Sequence, residues 1–159
     1  MEYYPLPQPE EIPEREKEDA MGAYLMMFAA VAIGLPLPVI NLIAAIVYFY
    51  LNKSKSRFVY FHSLQSLLSQ IPTTLINWAL VIWSLNIFFT DRIISDEFIA
   101  YAIVAGIANI FYFIFSLIAA FKARKGKMYY FLLFGKLSYG IVFKVKENEM
   151  GTIENKPPF

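Results

Sequence analysis

The chain has 159 residues, 58% of them hydrophobic and 18% aromatic, with a mean hydropathy of +0.48 and a formal net charge of +1. An ordinary soluble domain is roughly 45–50% apolar even with glycine counted, so this composition excludes one and implies a small integral membrane protein. No cysteine is present, which excludes disulfides, thiolate metal sites and cysteine nucleophiles.

Residues 1–19 combine four prolines with high charge, and residues 1–20 hold seven acids against Arg15 and Lys17. This composition predicts a disordered, solvated tail with extended character in its first half. The first apolar residues follow an acidic, proline-containing tail, so the pattern is not that of a secretory signal peptide.

Residues 20–51 are apolar but interrupted by Gly34-Leu35-Pro36-Leu37-Pro38. One continuous helix here would measure roughly 48 Å, well beyond a hydrocarbon core of ~30 Å, whereas each arm of a hairpin would reach only about 20–24 Å. Glycine followed by two prolines is turn chemistry, and the Ala29-Ala30 and Ala44-Ala45 pairs permit close approach, which favours a short hairpin with arms at about 20–34 and 37–51 over one tilted, kinked span.

The loop Asn52-Lys53-Ser54-Lys55-Ser56-Arg57 is basic, which predicts a cytoplasmic location. After Arg57 no formal charge occurs up to Thr90, so a membrane helix is expected over about 60–90. At helical periodicity His62, Ser66, Gln70, Thr73, Asn77 and Ser84 fall within roughly 80° of one another, and Gln65 and Ser69 widen the stripe at its start. Polar groups are costly in hydrocarbon, so the stripe is expected to face other helices or a wet cavity. Pro72 should kink or restart the helix by freeing the Leu68 carbonyl.

The loop carrying Asp91, Arg92, Asp96 and Glu97 is mostly acidic and is expected on the opposite side. Residues 98–121 form the cleanest span, with Tyr101, Ala105, Ala108, Asn109, Tyr112, Ser116 and Ala119 on one small and polar ridge suited to packing against the stripe. Lys122, Arg124, Lys125 and Lys127 then return the chain to the basic side. Residues 128–143 are short and broken by Gly135, Lys136 and Gly140, which reads as an interfacial or re-entrant segment ahead of a polar tail at 144–159.

Three features together resemble a known family: the proline-broken apolar start, the basic-aromatic run from Arg57 through Phe61-His62 to Gln65, and Lys125-Gly126-Lys127-Met128-Tyr129 after the last clean span. They look like the chloroplast inner-envelope import component of the twenty-kilodalton Tic type and its small prokaryotic relatives of unknown function, over about residues 20–143. The resemblance implies a compact all-α bundle of about four membrane segments with both ends on one side. For a prokaryotic relative it implies the inner membrane with the basic loops cytoplasmic.

As candidate sites, His62 reads first as a helix-start residue bonding a neighbour and second as a pH switch or ligand. The stripe reads as interhelical glue or as a conduit. Measured membrane hydrogen bonds average only about 0.6 kcal/mol, and this keeps the conduit open. The basic residues Lys53, Lys55, Arg57, Lys122, Arg124, Lys125 and Lys127 read as topology determinants compatible with anionic lipid. The thirteen acids lie outside the apolar stretches, which argues against a proton-coupled pump or an intramembrane aspartyl protease. No phosphate loop, paired histidines or serine with an identifiable base is present, so no enzyme, metal site or cofactor is expected, nor nucleic-acid binding. The readings of function are a subunit or accessory component of a protein translocation, insertion or other membrane assembly, a small channel or carrier along residues 62–84, and a lipid-interacting protein. Membrane lipids and other membrane subunits are the expected partners.

Overall fold

A computed structural model describes residues 3–34, 37–90 and 93–145. Its helices are α1 (Glu14–Leu25), α2 (Ala29–Ala32), α3 (Pro38–Asn52), α4 (Arg57–Phe89), α5 (Asp96–Arg124) and α6 (Leu132–Val142), with a 3₁₀ turn at Met26–Phe28 between α1 and α2.

Local chemistry explains the boundaries. Ser56 and Ser95 cap α4 and α5, each side chain accepting a bond from the backbone N–H three residues on, at Val59 and Phe98. Lys122 and Arg124 occupy the last turn of α5, where cations oppose the negative end of the helix dipole. Gly126 closes α5 with φ +68: its N–H bonds the Ala123 carbonyl and that of Lys127 bonds the Lys122 carbonyl, the paired closure that favours glycine.

The chain turns back between Gly34, at φ +73, and Leu37, whose extended backbone leads into Pro38 as the first residue of α3. Leu35 and Pro36 of the turn lie outside the described residues. The two arms run antiparallel, joined near the turn by the Ala30 N–H donating to Asn41 Oδ1 at 2.7 Å and near the base by the Tyr48 hydroxyl donating to the Asp19 carbonyl at 2.8 Å.

Two differences from the sequence reading concern the ends. Helix α1 begins at Glu14, inside the stretch read as a disordered tail, because the apolar face of that stretch finds a core: Ile12 is 5% exposed and clusters with Ala20, Tyr24, Phe58, Ala119, Ala120, Ala123 and Phe131. The Tyr4 N–H donates to the Phe143 carbonyl at 2.8 Å, so the two ends of the described chain meet. Pro72 does not restart α4, which is helical from Arg57 to Phe89; beside it Thr73 Oγ1 donates to Ser69 O at 3.2 Å.

Helices α4 and α5, of 33 and 29 residues, are about 50 and 43 Å long and long and apolar enough to cross a membrane. Their apolar surface faces outward: Leu75 is 64% exposed, Phe88 74% and Val104 64%. Contiguous apolar exposure on this scale belongs to a lipid-facing surface. The all-helical architecture agrees with the expected class.

Candidate functional site

The polar stripe of α4 divides into two sites. In its first half His62, Gln65, Ser66, Ser69 and Gln70 are buried. Gln65 holds three segments together: its amide nitrogen donates to the Tyr24 hydroxyl on α1 at 2.6 Å, and its amide oxygen accepts from the Phe131 N–H ahead of α6 at 3.0 Å. The Tyr24 hydroxyl lies 2.9 Å from His62 Nδ1. With Gln65 donating to it, the hydroxyl is able to give its own proton to Nδ1, an arrangement that goes with an imidazole proton on Nε2. Ser66 donates to the Ala23 carbonyl at 2.8 Å, so α1 meets α4 through a second polar contact. Phe58 and Phe61 enclose the imidazole edge-on, with ring centroids 4.5 and 5.1 Å away.

The second half opens into a cleft of about 350 Å³. Gln70, Thr73 and Asn77 line one wall, Asn109 and Tyr112 of α5 another, and Asn41 of the hairpin a third. Asn77 and Asn109 exchange amide bonds in both directions, at 2.8 and 2.7 Å, and Tyr101 donates to the Ile76 carbonyl at 2.9 Å. Of the ridge on α5, Ala105 and Ser116 are buried, while Tyr101, Asn109 and Tyr112 are half-buried towards α4. Both amide atoms of Gln70 and the Ser116 hydroxyl are buried without a hydrogen-bond partner. The Tyr112 hydroxyl lies close to them without closing a bond to either. No charged side chain lines the cleft among the described residues, so it suits neutral polar or apolar groups.

Ser84 departs from the inward stripe. It is exposed and its hydroxyl turns back to the Leu80 carbonyl at 2.8 Å, because α4 runs on past the helices that cover its first half. The basic residues also divide. Lys55 pairs with Asp19 at 2.7 Å, Arg124 with Glu14 and Glu18, and Arg57 lies over the Tyr4 ring, whereas Lys53 sits 4.3 Å over the Tyr50 ring. Lys122, Lys125 and Lys127 are exposed. Three members of the set read as lipid-facing therefore turn to residues of the amino-terminal region. Hydrogen bonds from Lys17 and then Arg124 hold the Glu14 carboxyl down to about 2.

Sequence reasoning missed Tyr24, Asn41, Tyr48 and the acids Glu14, Glu18 and Asp19 as partners. Charge complementarity between the acidic start and the basic loops was the available signal for the acids; Tyr24 carries none, since a lone tyrosine in an apolar run does not name its partner.

Comparison with known proteins returns no match among curated proteins and none among solved structures. A model described as the magnetosome magnetite crystal formation protein family does match, over residues 16–137. This overturns the resemblance to the chloroplast import component, whose basic-aromatic helix start and glycine-basic-aromatic turn are features of helix ends at a membrane interface rather than of one family. The matched span runs from α1 into α6 and includes Tyr24, His62, Gln65, Phe131 and the whole lining of the cleft, and the chain belongs to this MamF/MmsF family.

Proposed function

We propose that the chain is a non-enzymatic component of the membrane in which magnetite crystals form, and that it acts by organising lipids and other membrane proteins. The observation that carries this reading is the family match over residues 16–137, joined to two long helices with lipid-facing apolar surfaces.

In this reading the hairpin arms and the two long helices are four membrane segments, with the basic loops and the amino-terminal acids on the cytoplasmic side. The interlocked bonds of Tyr24, His62, Gln65 and Ser66 support packing over a conduit from His62 to Ser66, since of these four only His62 Nε2 is left without a neighbour. The test is removal of the protein from cells that form magnetite, followed by electron microscopy of the crystals. The reading expects crystals altered in size or number and restored by the intact chain. Unchanged crystals, or recovery of the protein from the soluble fraction, would overturn it.

A further inference from the structure

We propose that this protein is a membrane wedge that favours bilayers curved so that the leaflet on the side of the basic loops is convex. The inference rests on the membrane reading above and is independent of the role in crystal formation.

The observation is an asymmetry of covering along α4 and α5. The midpoint of Arg57–Phe89 is Thr73 and that of Asp96–Arg124 is Ile110, and both line the cleft together with Met27, Phe28 and Pro38. The hairpin, whose turn lies between Phe28 and Pro38, thus ends near the middle of both long helices. Buried residues follow the same division: those of α4 lie between Phe58 and Thr74, and those of α5 lie at 116–123 apart from Ala105. Past this level the two helices continue alone, with residues 78–89 of α4 adding about 18 Å.

Everything else packs at the basic end. Helix α6 and its flanks meet α4 there, where Val142 and Phe143 cluster with Phe61 and Leu64. The amino-terminal stretch lies on the same end through Tyr4 and Ile12. With each helix about 10–12 Å across, four or five helices against two give roughly twice the cross-section in one leaflet. Insertion confined to one leaflet expands that leaflet relative to the other, which lowers the cost of bending it outward, as for interfacial helices that respond to curvature. The face of the bare two-helix stem is assigned to lipid chains, because its exposed side chains, such as Ile82, Leu85 and Ile103, are mostly apolar and the exposed Ser84 turns its hydroxyl back to the Leu80 carbonyl.

The test reconstitutes the full chain, carrying Ser54→Cys as its one cysteine, into mixed phosphatidylcholine and phosphatidylglycerol vesicles covering a wide range of diameters. Protein per membrane area is read vesicle by vesicle against a lipid dye, and sidedness by a membrane-impermeant thiol reagent. Density should rise about twofold or more from the largest to the smallest vesicles, with residue 54 outside in the small ones. Equal density at all sizes, or enrichment with residue 54 inside, would overturn the wedge. So would disulfide cross-linking of Leu85→Cys between copies, since a second molecule on the stem would remove the asymmetry. Extraction by carbonate from vesicles of every size would overturn the membrane reading itself, whereas stable insertion with even density defeats the wedge alone.

Discussion

Gln65 is a single side chain whose two amide atoms tie α1 and the start of α6 to α4, so replacing it leaves two partners unsatisfied at once. Gln65→Leu should destabilise the folded chain by about 1–3 kcal/mol, the cost of stranding buried polar groups. Tyr24→Phe strands Gln65 Nε2 and His62 Nδ1 in turn and should cost a similar amount, about 1–3 kcal/mol. Unfolding in mixed detergent and denaturing surfactant measures both, and equal stability of Gln65→Leu and the parent would refute the role given to it. Glu14 offers a pH test at the membrane surface. Its carboxyl is held at about 2 against an ordinary value of 4.5, so its contacts with Lys17 and Arg124 contribute fully above 4.5 and are lost as pH falls towards 2. The pair is exposed and screened, so the effect is small, and Glu14→Gln should flatten that part of the profile of thermal stability against pH. At this scale helical spacing put His62, Gln65, Ser66 and Gln70 on one face, and the structure buries all four, but spacing alone did not show that Ser84 lies beyond the covering helices. Nor did spacing show their partners, because those come from elements dozens of residues away.

The closure of α5 and the pairing of α5 with α4 are the elements most open to test. Gly126 needs its left-handed backbone, and a Cβ there would stand 3.0 Å from the Pro9 Cα. Gly126→Ala should cost about 1–2 kcal/mol, read by the same unfolding assay, and a neutral result would mean that the amino-terminal stretch does not pack on this turn. Asn109→Leu should loosen α4 from α5 by about 0.6–1.7 kcal/mol, the range of measured membrane hydrogen bonds, and Asn77→Leu should add little more once its partner is gone. The long uncharged runs made α4 and α5 legible, whereas the caps at Ser56 and Ser95 that set their first turns were not read from the sequence. The helical start at Glu14 was not legible, because proline and charge dominate residues 1–19 and the burial of Ile12 depends on Phe58 and the alanine face of α5.

On the scale of the molecule, composition alone pointed to a membrane protein, and the charge pattern pointed to a chain whose basic loops share one side. What composition could not separate was one family of small helical membrane proteins from another, since aromatic and basic residues gather at helix ends in all of them. The structure adds that Glu14, Glu18 and Asp19 meet Lys55 and Arg124, which places the amino-terminal acids beside both basic loops. The proposed topology puts the amino-terminal stretch and the basic loops on one face of the bilayer and the loop before α5 on the other. The most direct measurement introduces single cysteines at Glu10, Ser54 and Ser95 into this cysteine-free chain and labels them from each side of the membrane. Labelling of 10 and 54 from one side with 95 from the other is the predicted result. Labelling of 10 together with 95, or of all three from both sides, would contradict it.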